Sequence, residues 1–245
     1  MININFKNKV VVITGGNAGA GQGIVEAFLD AGATVITTYN KTKSNDKRIK
    51  SYKCDQSNLK SIKTFVSKII KEYKHIDVLV NNAGIYPAKD FNEISEEEYD
   101  EMFDVNTKGV FFLTREIAKH MTSGSIINIS SINATNPATK LIHYGMSKAA
   151  IEMETRCLAY KLGPNIRVNC IAPGLIYKEG QEKFIPGWRE SYIQRSALNR
   201  LVYSKDVANT AIFLASDLSS AITGQTITVD CGVSLAPYFY NELKD

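Results

Sequence analysis

The 245-residue chain balances 29 Lys and Arg against 25 Asp and Glu, a net charge of +4, with 44% hydrophobic and 22% charged residues. This is ordinary globular composition, long enough to bury a large core as one α/β domain or two small ones. The mild charge, without a long basic run interleaved with aromatics, argues against a nucleic-acid partner. No apolar stretch approaches the ~18 residues needed to cross a membrane.

Met1 to Lys9 lacks the apolar core and small-residue cleavage site of a signal peptide. Lys9–Thr14 then reads as a first strand, followed by a Gly-rich turn. Ile24–Leu29 has helical spacing and ends before Gly32, and Thr34–Tyr39 is β-branched and strand-like. Ile49–Cys54 reads as a short third strand. Leu59–Tyr73 carries a 3.6-residue apolar stripe, and Ile76–Val80 is strand again. Ser95-Glu-Glu-Glu opens a helix with a capping-box pattern, Ser95 to Glu98, and a long helix follows over about Met102–His120.

Ser125–Ser130 reads as a buried strand and His143–Ile151 as helix. Ile166–Ile171 is a strand, Glu179–Arg200 a polar and aromatic segment, Asp206–Ala215 a helix, and Gln225–Asp230 a last strand. About seven strands alternating with about six helices predict a doubly wound parallel sheet with helices on both faces, a Rossmann-type α/β fold. No linker, repeat or low-complexity segment interrupts it, so residues 1–245 are expected to form a single dinucleotide-binding and catalytic domain.

Four cysteines (Cys54, Cys157, Cys170, Cys231) and three histidines (His75, His120, His143) are scattered without metal-ligand spacing. They predict no metal site and read as reduced thiols, mostly core fillers, of a cytoplasmic protein. His143 reads as a helix-start residue.

The chemistry concentrates in three places. Thr14-Gly-Gly-Asn-Ala-Gly-Ala-Gly21 joins the first strand to the first helix. Glycines there let backbone N–H groups approach a pyrophosphate at a helix N-terminus. The spacing is Gly-x-x-x-Gly-x-Gly rather than Gly-x-Gly-x-x-Gly, and no Gly-Lys-Ser/Thr follows to make a P-loop. Tyr144 and Lys148, four apart, share one helix face. Such a pair is most often a solvated surface contact. An ammonium beside a phenol also lowers the phenol pKa from about 10, which suits acid–base work. Ser131 follows a strand end, placed to meet the same substrate oxygen as Tyr144.

Thr14-Gly-x-x-x-Gly-x-Gly21, Asn81-Asn-Ala-Gly84, Asn106, Ser131, Tyr144-x-x-x-Lys148, Pro173-Gly174 and the tail Leu214-Ala-Ser-Asp, Ile222-Thr-Gly-Gln, Val229-Asp230 occur in one order. In that order and spacing the chain resembles the single-domain branch of the short-chain dehydrogenases/reductases over essentially its whole length. The resemblance implies hydride transfer between a nicotinamide cofactor and a carbonyl or secondary alcohol. It makes Tyr144 the proton donor or acceptor, with Lys148 holding the nicotinamide ribose and lowering the Tyr pKa. It has Ser131 bonding the substrate oxygen, Ser130 competing less well on spacing, and Asn106 anchoring a water-linked relay to Lys148. Gly15, Asn17, Ala18, Gly19, Ala20, Asn82, Ala83, Gly84, Pro173, Gly174 and Ile176 would line the cofactor. Asp55, with Gln56 beside it, would meet the adenine; the alternative reading of Asp55, which is compatible with that role, is a helix N-cap.

The second strand ends in Thr38-Tyr-Asn-Lys-Thr-Lys43, with no acid before Asp46. Asn40, Lys41 and Lys43 favour a 2′-phosphate, hence NADP(H), with NAD(H) the alternative. Three positions depart from the family pattern: Lys178 where Thr is usual, Ala20 where Ile is common, and Cys231 where Gly is common.

Residues 177–200 are expected to form a substrate lid, with Phe184, Ile185, Trp188 and Tyr192 as an apolar lining. The resemblance implies a small carbonyl or alcohol as substrate. The alternative is 3-oxoacyl-carrier-protein reduction, with Lys140, Lys178 and Arg189 receiving an acidic carrier. A catalytically silent nucleotide-binding regulator is disfavoured because Tyr144 and Lys148 are both kept. The family usually forms homotetramers through two long helices, here Met102–His120 and Ile151–Leu162.

Overall fold

The structure is a computed structural model that describes residues 4–178 and 187–235. In chain order the elements are β1 Val10–Thr14, α1 Gly19–Asp30, β2 Thr34–Tyr39, β3 Lys50–Lys53, α2 Leu59–Tyr73, β4 Val78–Asn81 and α3 Glu96–Phe103. They continue with α4 Gly109–Ala118, β5 Gly124–Ile129, α5 Ile142–Leu162, β6 Ile166–Pro173, α6 Trp188–Arg195, α7 Ser204–Ala215 and β7 Thr226–Val229. The strands form one sheet, ordered β3-β2-β1-β4-β5-β6-β7, with every neighbouring pair parallel.

The run Val10-Val-Val-Ile-Thr14 is apolar throughout because the sheet is covered on both faces. Val11 and Ile13 pack with Ile24, Val25 and Phe28 of α1 and Val207, Ala211 and Leu214 of α7. Val10 and Val12 point the other way, into Ile62, Phe65, Val66 and Ile69 of α2 and Leu113 and Ile117 of α4. Each such side chain contributes about 1.5–3 kcal/mol on full burial. The α2 stripe is the one its periodicity predicts.

The chain leaves β1 toward β2 and β3, then crosses back to β4 on the other side of β1. That reversal opens a crevice beyond the carboxyl ends of β1 and β4, the place where parallel sheets take ligands. The Gly-rich turn and Asn82–Gly84 are its two lips.

Three expectations are corrected. The helix opened by the Ser95–Glu98 capping box is found as α3, but the one expected over Met102–His120 is divided: Met102 belongs to α3, and a five-residue π turn, Asp104–Lys108, precedes α4. Asp55 does not cap α2. Asn58 does, its Oδ1 accepting from the Lys60 and Ser61 N–H groups. Asp55 instead accepts from the Ser57 N–H and hydroxyl, fixing the turn after β3. Cys157, expected among the core fillers, is exposed on α5, while Cys54, Cys170 and Cys231 are buried. Phe184, Ile185 and the Trp188 side chain lie outside the described residues, so the lid is described only at its ends.

Candidate active site

Thr14, the last residue of β1, ties the two lips together. Its hydroxyl accepts from the N–H groups of Asn82 and Ala83 at 3.0 and 2.9 Å. The Asn82 side chain donates to the Thr14 and Gly15 carbonyls at 2.9 and 3.0 Å. Gly15 and Gly19 adopt φ of 65° and 57°, the left-handed region that glycine enters without penalty. A methyl group on Gly21 would collide with the Gly15 carbonyl and with Asn82. The N-cap of α1, Ala18, offers no side-chain acceptor, and the first turn holds no acid. The helix start therefore presents unpartnered N–H groups to an anion.

A cleft of about 910 Å³ opens along these lips. Gly15, Ala18, Gly19, Ala20, Asn40, Lys41, Asp55, Gln56, Asn82, Ala83, Gly84, Pro173, Gly174 and Ile176 line it, as do Ser131, Tyr144 and Lys148. Two expected residues stand back from it. Asn17 turns away, its Nδ2 donating to the Thr42 carbonyl at 2.6 Å, and so braces the loop after β2. Asn106, fully buried in the π turn, lies behind Gly84. Its Oδ1 accepts from the Ile85 N–H at 2.9 Å, and its Nδ2 donates to the Ile85 carbonyl at 2.8 Å and to the Ser147 hydroxyl at 3.2 Å.

The two serines at the end of β5 point apart. Ser130 Oγ lies 3.1 Å from both the Lys148 carbonyl and Glu152 Oε1, on the buried side. Ser131 faces the cleft beside Tyr144, and its hydroxyl draws the phenol pKa down. Burial outweighs this, and the Tyr144 pKa lies above its ordinary value, with Tyr86 also raising it.

The expected lowering of the Tyr144 pKa by Lys148 is not found. The Lys148 ammonium sits 5.7 Å from the Tyr144 ring centroid and donates to the Ile129 carbonyl at 2.8 Å. Burial pulls its own pKa down to about 8. Near neutral pH the group remains charged, but its ammonium is directed at the Ile129 carbonyl rather than at the phenol oxygen.

The sequence reading missed a buried amide chain that holds the site from beneath. Asn81 on β4 donates to Thr114 on α4 and to Asn128 on β5, each at 2.8 Å, and Asn128 donates to Thr155 on α5 at 2.9 Å. The available signal was an Asn inside each of two apolar strands, and the register pairs those two residues. Tyr86, Asn133, Leu141 and Leu175 also line the cleft unforeseen. Tyr192, named for the lid, accepts from the Leu175 N–H at 2.7 Å and closes over Gly174. No metal-ligand cluster occurs among the described residues, and no helix there is long and apolar enough to cross a membrane.

A family model described as Enoyl-(Acyl carrier protein) reductase matches residues 15–234. 3-Oxoacyl-[acyl-carrier-protein] reductase FabG of Thermotoga maritima is 36% identical over 244 residues, which span 94% of this chain and 99% of that protein. Among solved structures, the ligand-free aldohexose dehydrogenase of Thermoplasma acidophilum aligns with a TM-score of 0.90 at 29% identity, covering 95% of this chain and 96% of that one. A short chain dehydrogenase from Burkholderia cenocepacia in complex with NADP aligns with a TM-score of 0.85 at 26% identity, covering 94% and 99%. Sequence, fold and cleft agree: the chain belongs to the short-chain dehydrogenase/reductase family and is a nicotinamide-dependent oxidoreductase.

Proposed function

We propose that the whole chain acts as one catalytic unit that reduces a small carbonyl compound, or oxidises the matching secondary alcohol, with Tyr144 as the proton donor or acceptor. The observation that carries this reading is the meeting of Ser131, Tyr144 and Lys148 on the wall of a cleft that begins at the Gly-rich turn. The residues present fit a dinucleotide. Unpartnered N–H groups at α1 face the cleft, and Gly84 leaves open the approach to Lys148. The bound cofactor supplies or accepts the hydride. Ser131 and Tyr144 orient the substrate oxygen. Burial keeps the Tyr144 phenol protonated at neutral pH, the form that donates in the reductive direction. Lys148 holds the ribose side, and Asn106 fixes the backbone behind Gly84 from which a water relay could reach Lys148.

The cofactor we favour is NADP(H) over NAD(H). Asn40 and Lys41 line the cleft at the end of β2, where no carboxylate stands to repel a 2′-phosphate. The test is a panel of carbonyls and alcohols assayed with all four nicotinamide forms. NADPH is expected to exceed NADH in kcat/KM by about ten-fold or more. Tyr144→Phe should lower kcat by about 10²–10⁴-fold. Near-normal turnover in that variant would remove Tyr144 from the proton step.

Reduction of an acyl-carrier substrate is the second reading, favoured by the FabG relative. The basic residues expected to receive a carrier make contacts within the chain. Lys140 lies 3.8 Å from Asp90 in an exposed pair, and Arg189 stacks on Tyr177 at 5.1 Å. Turnover of an acyl-pantetheine mimic, compared with simple ketones in the same panel, decides between the two. We also propose self-association through α4 and α5, which leave Phe111, Met146, Met153 and Tyr160 exposed.

A further inference from the structure

We propose that Lys178 is a cofactor-positioning residue of this chain, supplying a positive charge to the pyrophosphate of the dinucleotide. The inference rests on the cofactor reading above. Lys178 follows β6 by five residues, yet its side chain crosses back over the Gly-rich turn. A methyl group built on Gly19, the first residue of α1, would lie 3.4 Å from Lys178 Cε and 3.9 Å from Nζ. The ammonium therefore stands beside Gly19, at the start of α1, where an anion is already favoured by the helix dipole.

Nζ also donates to the Tyr86 hydroxyl at 3.1 Å and lies 5.8 Å from the Tyr86 ring centroid. Tyr86 follows β4, and its ring meets the Tyr144 ring edge-on at 6.2 Å. Lys178 thus ties the β6 side of the cleft mouth to the β4 side, with the Gly-rich turn beneath. A phosphate entering between them would meet backbone donors from below and an ammonium from above. A Lys here, in place of the Thr usual in the family pattern, adds a full charge at the cleft mouth. Lys178 is exposed, so its replacement does not disturb the core.

The experiment measures dissociation constants of ADP-ribose, which carries the pyrophosphate, and of AMP, which lacks it, by calorimetry or by displacement of bound NADPH fluorescence. Lys178→Ala is expected to weaken ADP-ribose by about ten-fold and AMP by less than about two-fold. Lys63→Ala removes an exposed charge on α2, away from the cleft, and is expected to change neither. An unchanged ADP-ribose affinity in Lys178→Ala, an equal loss for AMP, or an equal loss in Lys63→Ala overturns the assignment. Wild-type protein that binds neither ligand would overturn the dinucleotide reading itself, and the Lys178 assignment with it.

Discussion

Lys148 shows how one side chain can be costly to the fold and necessary to the chemistry. Its ammonium is buried, with one carbonyl partner, and its pKa falls from 10.5 to about 8. Below about pH 8 the group is charged in both folded and unfolded chains, and the folded state bears the whole desolvation cost. Between about 8 and 10.5 the unfolded chain holds a proton that the folded one has released, so stability rises with pH through that window. At 1.36 kcal/mol per unit this amounts to roughly 3 kcal/mol, offset by about 1–2 kcal/mol for the bond to Ile129. Lys148→Met is therefore expected to be more stable than wild type at pH 7 by about 1–2 kcal/mol while losing turnover. That advantage should shrink by pH 10, as read from urea unfolding at the two pH values. A variant less stable at pH 7, or a gap that ignores pH, would contradict the burial argument. Ser130 and Ser131 teach a related lesson. Spacing favours Ser131, but only the strand's direction shows that Ser130 faces inward toward Glu152.

At the scale of elements, the helical run Glu96–Ala118 is informative because its middle turn is π. The capping box at Ser95 was legible, whereas the apolar period lapses across Asp104–Lys108. A π turn inserts a residue, so the phase of the 3.6-residue pattern slips there and no single periodicity covers both halves. The turn carries Asn106 into the interior, where one side chain satisfies both backbone groups of Ile85. Asn106→Ala would leave those groups without protein partners, costing about 2 kcal/mol in chemical denaturation. Wild-type stability in that variant would mean that Asn106 does not hold the loop after β4. Sheet order was less accessible than helix position. The alternation of strands and helices implies a parallel sheet, but the reversal between β3 and β4 that opens the cleft is a choice of partner, made by packing over long sequence separations.

For the whole molecule, two faces of the sheet are covered by the chain's own helices, while α4 and α5 still present large apolar side chains outward. Tyr160 is 95% exposed and Met153 53% exposed. Such surface is ordinarily covered in an assembly. Sedimentation at tens of micromolar is expected to show a four-chain species, and Tyr160→Asp with Met153→Asp to shift it toward smaller ones. A single-chain species in the wild type would dismiss the interface.

The sequence by itself determined the kind of fold and the kind of chemistry. Apolar runs buried on both faces, a glycine turn after the first strand, and Tyr144 one helical turn from Lys148 are local patterns, and local periodicity and steric freedom make them readable. Only the tertiary structure decided which polar groups meet. It turned Asn17 away to Thr42, paired Asn81 with Asn128 beneath the cleft, aimed Lys148 at Ile129, and laid Lys178 over Gly19. These pairings join residues tens to more than a hundred positions apart, and strand register and crossover direction set them, which no spacing within one element encodes.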